Sequence, residues 1–176
     1  YKSADLVSVS SRNDYNYVKK KYSVNNLKII PNYIDVNLFK PKKTKIKKNT
    51  ILSIGRLEKQ KQYDKLIIAA SKVNLNVDII GKRALYHKLI NLGKRLNVKV
   101  TIRTRVENND LPDVINRYKV FVLNSSWEGM PKVLVEAMSC GIICIGNNIP
   151  SIREIIKDGQ NGFISNQTMS DYTLIG

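Results

Sequence analysis

From residue 50 onward the chain alternates between two kinds of segment, and no other feature restricts its fold as strongly. Short apolar runs, TILSIG (50–55), NVDII (76–80), VKVTI (98–102), KVFVLNS (119–125) and GIICIG (141–146), are each followed by a segment with helical character, 63–73, 84–96, 111–118, 131–140 and 151–158. In the first of these segments the apolar residues fall at Leu66, Ile67, Ala70 and Val73; in the second, Leu85, Leu89, Leu92 and Leu96 share one face. Strand and helix repeating at this spacing predict parallel strands joined by right-handed crossovers. Strands that are apolar throughout, rather than at every second residue, predict a sheet covered on both faces. The expected class is therefore α/β, a doubly wound parallel sheet. Ligands of such sheets bind outside the carboxyl ends of the strands. That directs attention to the loops GRLEKQK, GKRAL, RTRVENND, NSSWEGMP and GNNIPS.

Residues 1–45 differ. ADLVSVS reads as a strand, RNDYNYVKKKY as a basic helix, and LKIIPNYIDVNLFKP as a strand running into a turn-rich exit. They are expected to form a separate piece with a linker, and residues 46–176 the α/β domain. The run KPKKTKIKK (40–48) holds almost no aromatics, which makes it a poor platform for single-stranded nucleic acid and predicts a solvated linker. The net charge of +16 favours anionic partners. It leaves a nucleic-acid-binding module as a rival reading and leaves open peripheral contact with an acidic membrane. Nucleic acid is not the expected partner. No apolar run approaches the ~18 residues that cross a bilayer, and no basic start followed by an apolar block opens the chain. A cytoplasmic protein is expected, with the inner face of a membrane as its one alternative surface. Cys140 and Cys144 have neither a second pair nor a nearby histidine, so they are read as reduced, buried, apolar residues. His87 is read as solvent-facing. Asp110 and Asp113 are expected to cap the helix that Pro112 opens, and Ser151 with Glu154 to form a capping box.

Two loops carry the chemistry. In GRLEKQK, Gly55 ends a strand and lets a ligand approach the backbone. Arg56 follows at once and Lys61 lies near the next helix start, so a guanidinium fork and an ammonium can face one diphosphate. Neither a GxxxxGK[ST] nor a GxGxxG motif is present. In SSWEGMPKVLVEAMSCG (125–141), Pro131 suits the first helical position, and the free N–H groups beyond it, with the helix dipole, favour an anion. Val133, Leu134, Ala137, Met138 and Cys140 form the buried stripe, and Glu136 falls at its rim. Glu128 precedes the helix by a few residues. Two carboxylates eight residues apart can accept hydrogen bonds from hydroxyls on either side of an anion-binding helix end.

This segment resembles the E-x7-E motif of retaining glycosyltransferases with the GT-B fold, family 4. GRLEKQK looks like their diphosphate loop, NYIDVNLFKP like their crossing between domains, and SIREIIKDGQNGFI like their closing segment. The resemblance covers roughly residues 4–165. It implies a Rossmann-like, nucleotide-sugar-binding half of a GT-B enzyme, a hexosyltransferase-type activity and retention at the anomeric carbon. It implies that Arg56 and Lys61 hold the diphosphate of a UDP-, GDP- or ADP-linked sugar, that Glu128 contacts the transferred sugar and Glu136 the ribose. Gly129, Met130 and Lys132 would add contacts at the turn, with Gly55, Val106 and Val133 completing the donor site. No cofactor and no essential metal are expected. The acceptor, a glycan or lipid-linked sugar, would be held by an N-terminal domain that the resemblance places before Tyr1, with a terminal helix after Gly176. The sequence departs from the family pattern at Gln62, Arg83 and Thr104, where glycine is usual. The last two lie near the expected base pocket. A sugar-nucleotide-binding or epimerase-type domain on the same sheet is the second rival.

Overall fold

The computed structural model describes residues 4–82 and 84–166. In chain order its elements are β1 (Val7–Val9), α1 (Arg12–Tyr22), β2 (Leu27–Ile29), β3 (Thr50–Ile54), a 3-10 turn (Lys59–Lys61), α2 (Tyr63–Lys72), β4 (Asn76–Ile80), α3 (Tyr86–Arg95), β5 (Val100–Arg103), α4 (Leu111–Ile115), β6 (Val120–Leu123), α5 (Lys132–Ser139), β7 (Ile143–Asn147), α6 (Pro150–Arg153) and β8 (Phe163–Ser165). All five expected strand–helix pairs are present. β1 and β2 pair in parallel on either side of α1 in the chain.

The main sheet has six strands in the order β5-β4-β3-β6-β7-β8, every pair parallel. Its two faces are both covered, as the continuous apolar strands require. On one face Ile51, Val77, Ile79 and Val122 pack with Leu66 and Ile67 of α2 and Leu89 of α3. On the other, Leu52, Phe121 and Leu123 pack with Ile115, Leu134, Ala137 and Ile152. Cys140 and Cys144 lie in this second layer, both buried and both free thiols. Burial pushes the Cys144 thiol up to about 12. The strand β8 has no counterpart in the sequence reading: three residues are too few to show a period, and it exists only because β7 offers an edge, with Ile145 opposite Phe163.

Strand order decides where a ligand can go. β4 and β5 lie on one side of β3, and β6, β7 and β8 on the other. The order reverses between β3 and β6, so the chain leaves their carboxyl ends in opposite directions and a crevice opens there. The loops that meet at it are 55–62 and 124–131.

The basic stretch is exposed along most of its length, as expected of a solvated linker, but it is also tied to the domain beneath it. Phe39 is 2 % exposed and sits in the second core layer, with its carbonyl accepting from Ser139 Oγ at 2.5 Å. The Lys42 N–H donates to Asn116 Oδ1 at 2.7 Å, Thr44 Oγ1 to the Asn116 carbonyl at 2.6 Å, and the Lys47 N–H to the Arg117 carbonyl at 2.8 Å. Residues 39–47 thus form a strap against the end of α4, and two of its lysines, Lys42 and Lys47, pair with acids. Lys42 pairs with Asp113 at 2.5 Å, which takes that aspartate away from helix capping. Asp110 occupies the N-cap position of α4 but makes no side-chain cap bond. α6 also departs from expectation. It starts at Pro150, behind Ile149, and lasts one turn. Glu154 makes no capping box with Ser151; its carboxylate accepts the Arg12 and Asn13 N–H groups of α1 at 2.9 and 3.0 Å.

Lys47 reaches Asp78, a buried carboxylate in the middle of β4, at 2.5 Å, and Tyr118 donates its hydroxyl to the same oxygen at 2.7 Å. Burial works to raise the Asp78 pKa, but the hydrogen bonds from Lys47 and Tyr118 outweigh it and hold the carboxyl below its ordinary value of 3.8. A depressed carboxylate contributes stability that is present above the ordinary value and is lost as pH falls through the folded one. Asp78→Asn is therefore expected to lower the Tm at pH 7, with the gap to the parent narrowing as pH drops below 3.8. Thermal unfolding across that range checks it; a gap independent of pH would assign the loss to packing alone.

Candidate active site

The two crevice loops are tied to each other before any ligand is considered. The Ser126 N–H donates to the Gln60 carbonyl at 2.8 Å, and Gln60 Nε2 to the Trp127 carbonyl at 2.6 Å. Asn147, in β7, supports the same loop by donating Nδ2 to the Ser125 carbonyl at 2.9 Å. On this platform the Lys61 ammonium hydrogen-bonds the Glu128 carboxylate, and Ser125 Oγ donates to the same Oε1 at 2.5 Å. Both side chains of the pair are 11 % exposed. A shielded ion pair of this kind resists screening by salt more than surface pairs do. Ser125, Gln60 and Asn147 were invisible as site residues in the sequence, since they reach the crevice from three different strand ends.

Gly55 closes β3 with its N–H on the Ile80 carbonyl at 2.9 Å. A methyl group there would stand 2.9 Å from Lys61 Cε and 3.1 Å from the Tyr63 hydroxyl, and Tyr63 donates to the Gly55 carbonyl at 3.0 Å. Glycine is needed because the lysine stem crosses over it. Gly81 is held by a similar crossing: a Cβ would fall 1.9 Å from the Gly55 carbonyl oxygen. Arg56 points outward, 57 % exposed, 3.4 Å from Glu58. The structure places both cations on the β3 loop but in different surroundings, one shielded and paired to Glu128, the other open to water. Gln62, where the family pattern has glycine, adopts φ 49° and ψ 39°. The left-handed turn explains the usual glycine, and a γ-unbranched side chain bears it here at a cost of ~1–2 kcal/mol. Gln62→Gly relieves that strain but frees the unfolded chain by ~0.5–1 kcal/mol, so a stability change under ~1 kcal/mol is expected, against a loss of ~1–2 kcal/mol for the β-branched Gln62→Val. Urea midpoints of the two variants check this ordering.

Across the crevice, α5 begins at Lys132, with Pro131 one position earlier than expected, at the N-cap. No side chain caps this end, so its first N–H groups are open to an anion. The Lys132 ammonium stands 5.9 Å above the ring of Tyr33. Met130 is fixed from the N-terminal piece: Asn32 donates Nδ2 to its carbonyl at 3.2 Å and its N–H to the sulfur at 3.1 Å. Gly129 is exposed, and a Cβ there would meet nothing within 4 Å. Val133 and Val106 are half-buried against the second core layer. Val106 follows the edge strand β5, two strands from the crevice. Arg83 lies outside the described residues. Thr104 is exposed at the end of β5.

Glu136 is 8 % exposed, and among the described residues no hydrogen bond or ion pair to its carboxylate is present. Burial raises its pKa above the usual value, with Lys132 opposing. An acid with a raised folded pKa contributes full stability only below its ordinary pKa and loses it as pH rises through the folded value. Glu136→Gln is expected to raise the Tm at pH 7.5 and to leave it unchanged near pH 4; an equal gain at both would remove the charge from the explanation.

A family model, Glycosyl transferases group 1, matches residues 36–174. The chain belongs to this family. Group 1 relatives include an uncharacterized glycosyltransferase of Haemophilus influenzae, 29 % identical over 155 residues, covering 85 % of this chain and 44 % of that protein. An Escherichia coli UDP-Gal:alpha-D-GlcNAc-diphosphoundecaprenol alpha-1,3-galactosyltransferase is 32 % identical over 157 residues, covering 78 % of this chain and 41 % of that one. Among solved structures, sucrose-phosphate synthase from Thermosynechococcus elongatus superposes with a TM-score of 0.86 at 19 % identity, covering 98 % of this chain and 49 % of the other. Anabaena HepE in complex with UDP-glucose superposes at 0.81 and 22 % identity, covering 92 % and 50 %. The chain thus spans about half the length of the relatives it matches. The Rossmann-like GT-B half expected from the sequence is the fold found. Among the described residues no helix is long and apolar enough to cross a membrane.

Proposed function

We propose that this chain is the donor-binding half of a retaining glycosyltransferase that moves a hexose-type sugar from a nucleoside diphosphate to a glycan or lipid-linked acceptor. The observation that carries the reading is the make-up of the β3/β6 crevice. Cations stand on one wall, an uncapped helix end on the other, and carboxylates at both sides of that helix end. The diphosphate is assigned to Arg56, Lys61 and the α5 amides, the ribose diol to Glu136, and the transferred sugar to Glu128 and the Gly129–Met130 turn. Val106 is assigned to the rim of the base. As the sugar leaves, charge builds on the departing diphosphate, and Arg56 and Lys61 stabilise it; each such donor is worth ~3 kcal/mol in the transition state. Lys61 must first exchange Glu128 for phosphate, which frees that carboxylate for a sugar hydroxyl. The cations supply the charge that a metal supplies elsewhere, so donor binding is expected to need no added divalent ion.

The uridine-linked donors named for the Escherichia coli relative and for the HepE complex favour UDP over GDP and ADP here. A lipid-linked acceptor would bring the protein to the inner face of an acidic membrane, which a net charge of +16 favours. The test is a calorimetric titration. Arg56→Ala is expected to weaken UDP far more than uridine, and EDTA to change neither. Glu136→Gln is expected to cost ~1–3 kcal/mol for UDP and little for its 2′,3′-dideoxy analogue. Glu128→Gln should spare UDP and weaken only the sugar-bearing donor. Losses that do not depend on the ligand would reduce both glutamates to ordinary carboxylates.

A further inference from the structure

Sugar transfer in the crevice makes no use of the basic run 40–48. Lys47 and Lys48, at the end of that run, line a cavity of about 330 Å³ at the opposite end of the sheet. Thr50 and Val120, the first residues of β3 and β6, belong to its wall. The length of β3, about 13 Å, separates it from the loop that starts at Gly55. Ile51, Leu75 and Val120 give it an apolar floor, and each is buried. Lys47, Lys48 and Lys119 stand around that floor, and no acidic residue among the described ones lines it. Lys47 spends one of its three ammonium hydrogens on Asp78 and lies 5.3 Å above the ring of Tyr118. Its side chain is still 38 % exposed. Lys48 and Lys119 are exposed, and neither forms an ion pair among the described residues. Asn49, turned into the left-handed region at φ 51°, adds an amide to the lining.

We propose that this cavity binds the phosphate monoester of a small molecule, at a site separate from the crevice. Charge selects the ligand. Three lysines less Asp78 leave two unbalanced positive charges around one cavity. A phosphate monoester carries roughly −1.5 to −2 at pH 7 and matches them, whereas a carboxylate or a phosphodiester carries one negative charge. Compact ammonium groups on flexible stems close around a phosphate as point charges, without the fixed geometry of a guanidinium fork. Size sets the rest of the molecule. The volume stands near the lower end of the ~300–1,000 Å³ range of small-molecule sites, which leaves room beside the phosphate for a body of a few carbons on the apolar floor. A phosphate held by Lys48 and Lys119 joins the end of the strap to the start of β6 and relieves the repulsion between the lysines. The site shares no residue with the donor crevice and does not depend on the donor reading.

The experiment titrates the full-length protein with glycerol 3-phosphate by calorimetry, with and without saturating UDP. Binding is expected in both cases. Lys48→Ala and Lys119→Ala are each expected to weaken it about fivefold, and the double variant about twenty-fivefold, with the Kd for UDP unchanged. Both lysines are exposed, so the variants are expected to keep the parent Tm. Lys20→Ala removes an exposed lysine of α1 and is expected to change nothing, which separates a site from net charge. Dimethyl phosphate, a monoanion, is expected to bind more weakly than glycerol 3-phosphate. Arg56→Ala is expected to leave glycerol 3-phosphate binding as it is in the parent. The same phosphate chemistry occurs in a lipid headgroup, so phosphatidylcholine vesicles with and without phosphatidic acid form a second arm. The proposal is overturned if glycerol 3-phosphate does not bind, if Lys20→Ala weakens it as much as Lys48→Ala, or if Arg56→Ala abolishes it, since that moves the phosphate to the crevice. Vesicles bound through Lys48 and Lys119 while glycerol 3-phosphate is not bound would also overturn it, by assigning the lysines to a lipid surface.

Discussion

The reversal of strand order between β3 and β6 is the constraint on which the site depends. Two parallel strands side by side send their following helices to opposite faces of the sheet, leaving their carboxyl ends uncovered. Backbone groups exposed there have to be paired or face water. In this chain Ser126 and Gln60 pair across the gap, Gln60 also donates to the Trp127 carbonyl, and these bridges bring Lys61 to Glu128. Neither loop has regular structure of its own beyond one 3-10 turn, so the crevice owes its shape to strand order and to contacts between residues 62 and more apart in the chain.

The Lys61–Glu128 pair also governs what the site can do. A shielded ammonium and carboxylate held together are each costly to separate without a replacement. A ligand that brings an anion to the lysine and hydroxyls to the glutamate replaces both halves at once, whereas a bare anion replaces one. On the proposed donor reading, binding energy and the pairing of buried charge would thereby be coupled, which would favour a ligand carrying phosphate and sugar together. Glu136 differs in kind: it is buried with no hydrogen bond from the described residues, and burial alone pushes its pKa up. One carboxylate is held in place by the protein and the other is left with its hydrogen-bonding capacity unused.

The N-terminal piece is attached by few but specific contacts. The Glu154 carboxylate accepts two backbone N–H groups at the start of α1, Asn32 grips Met130, and residues 39–47 are strapped to α4 and β4. The strap accounts for part of the positive charge in physical terms: Lys42 and Lys47 neutralise Asp113 and Asp78. Much of the remainder, including Lys19, Lys20 and Lys21 at the end of α1, stays on the surface.

What the sequence determined by itself is the local order. Apolar runs of five or so residues between helical segments can only be buried strands, so the parallel α/β sheet, its element order and the loops at its carboxyl ends were legible, as were Gly55 at a strand end, the Gly-Met-Pro turn and the burial of Cys140 and Cys144. The glycine departure at Gln62 was legible as an exception, but its meaning, a left-handed residue at the end of the 3-10 turn, was not. Tertiary structure alone decided which loops meet. Strand order cannot be read from a chain in which every strand looks alike, so the pairing of Lys61 with Glu128, the support from Ser125, Gln60 and Asn147, and the strap over Asp78 had no local signal. Glu154 shows the limit most clearly. Its spacing from Ser151 fitted a local cap, yet with α6 starting at Pro150 its carboxylate instead meets the unpaired N–H groups of a helix more than 140 residues away in the chain, because a donor that lacks a partner is satisfied by whatever the fold brings within reach.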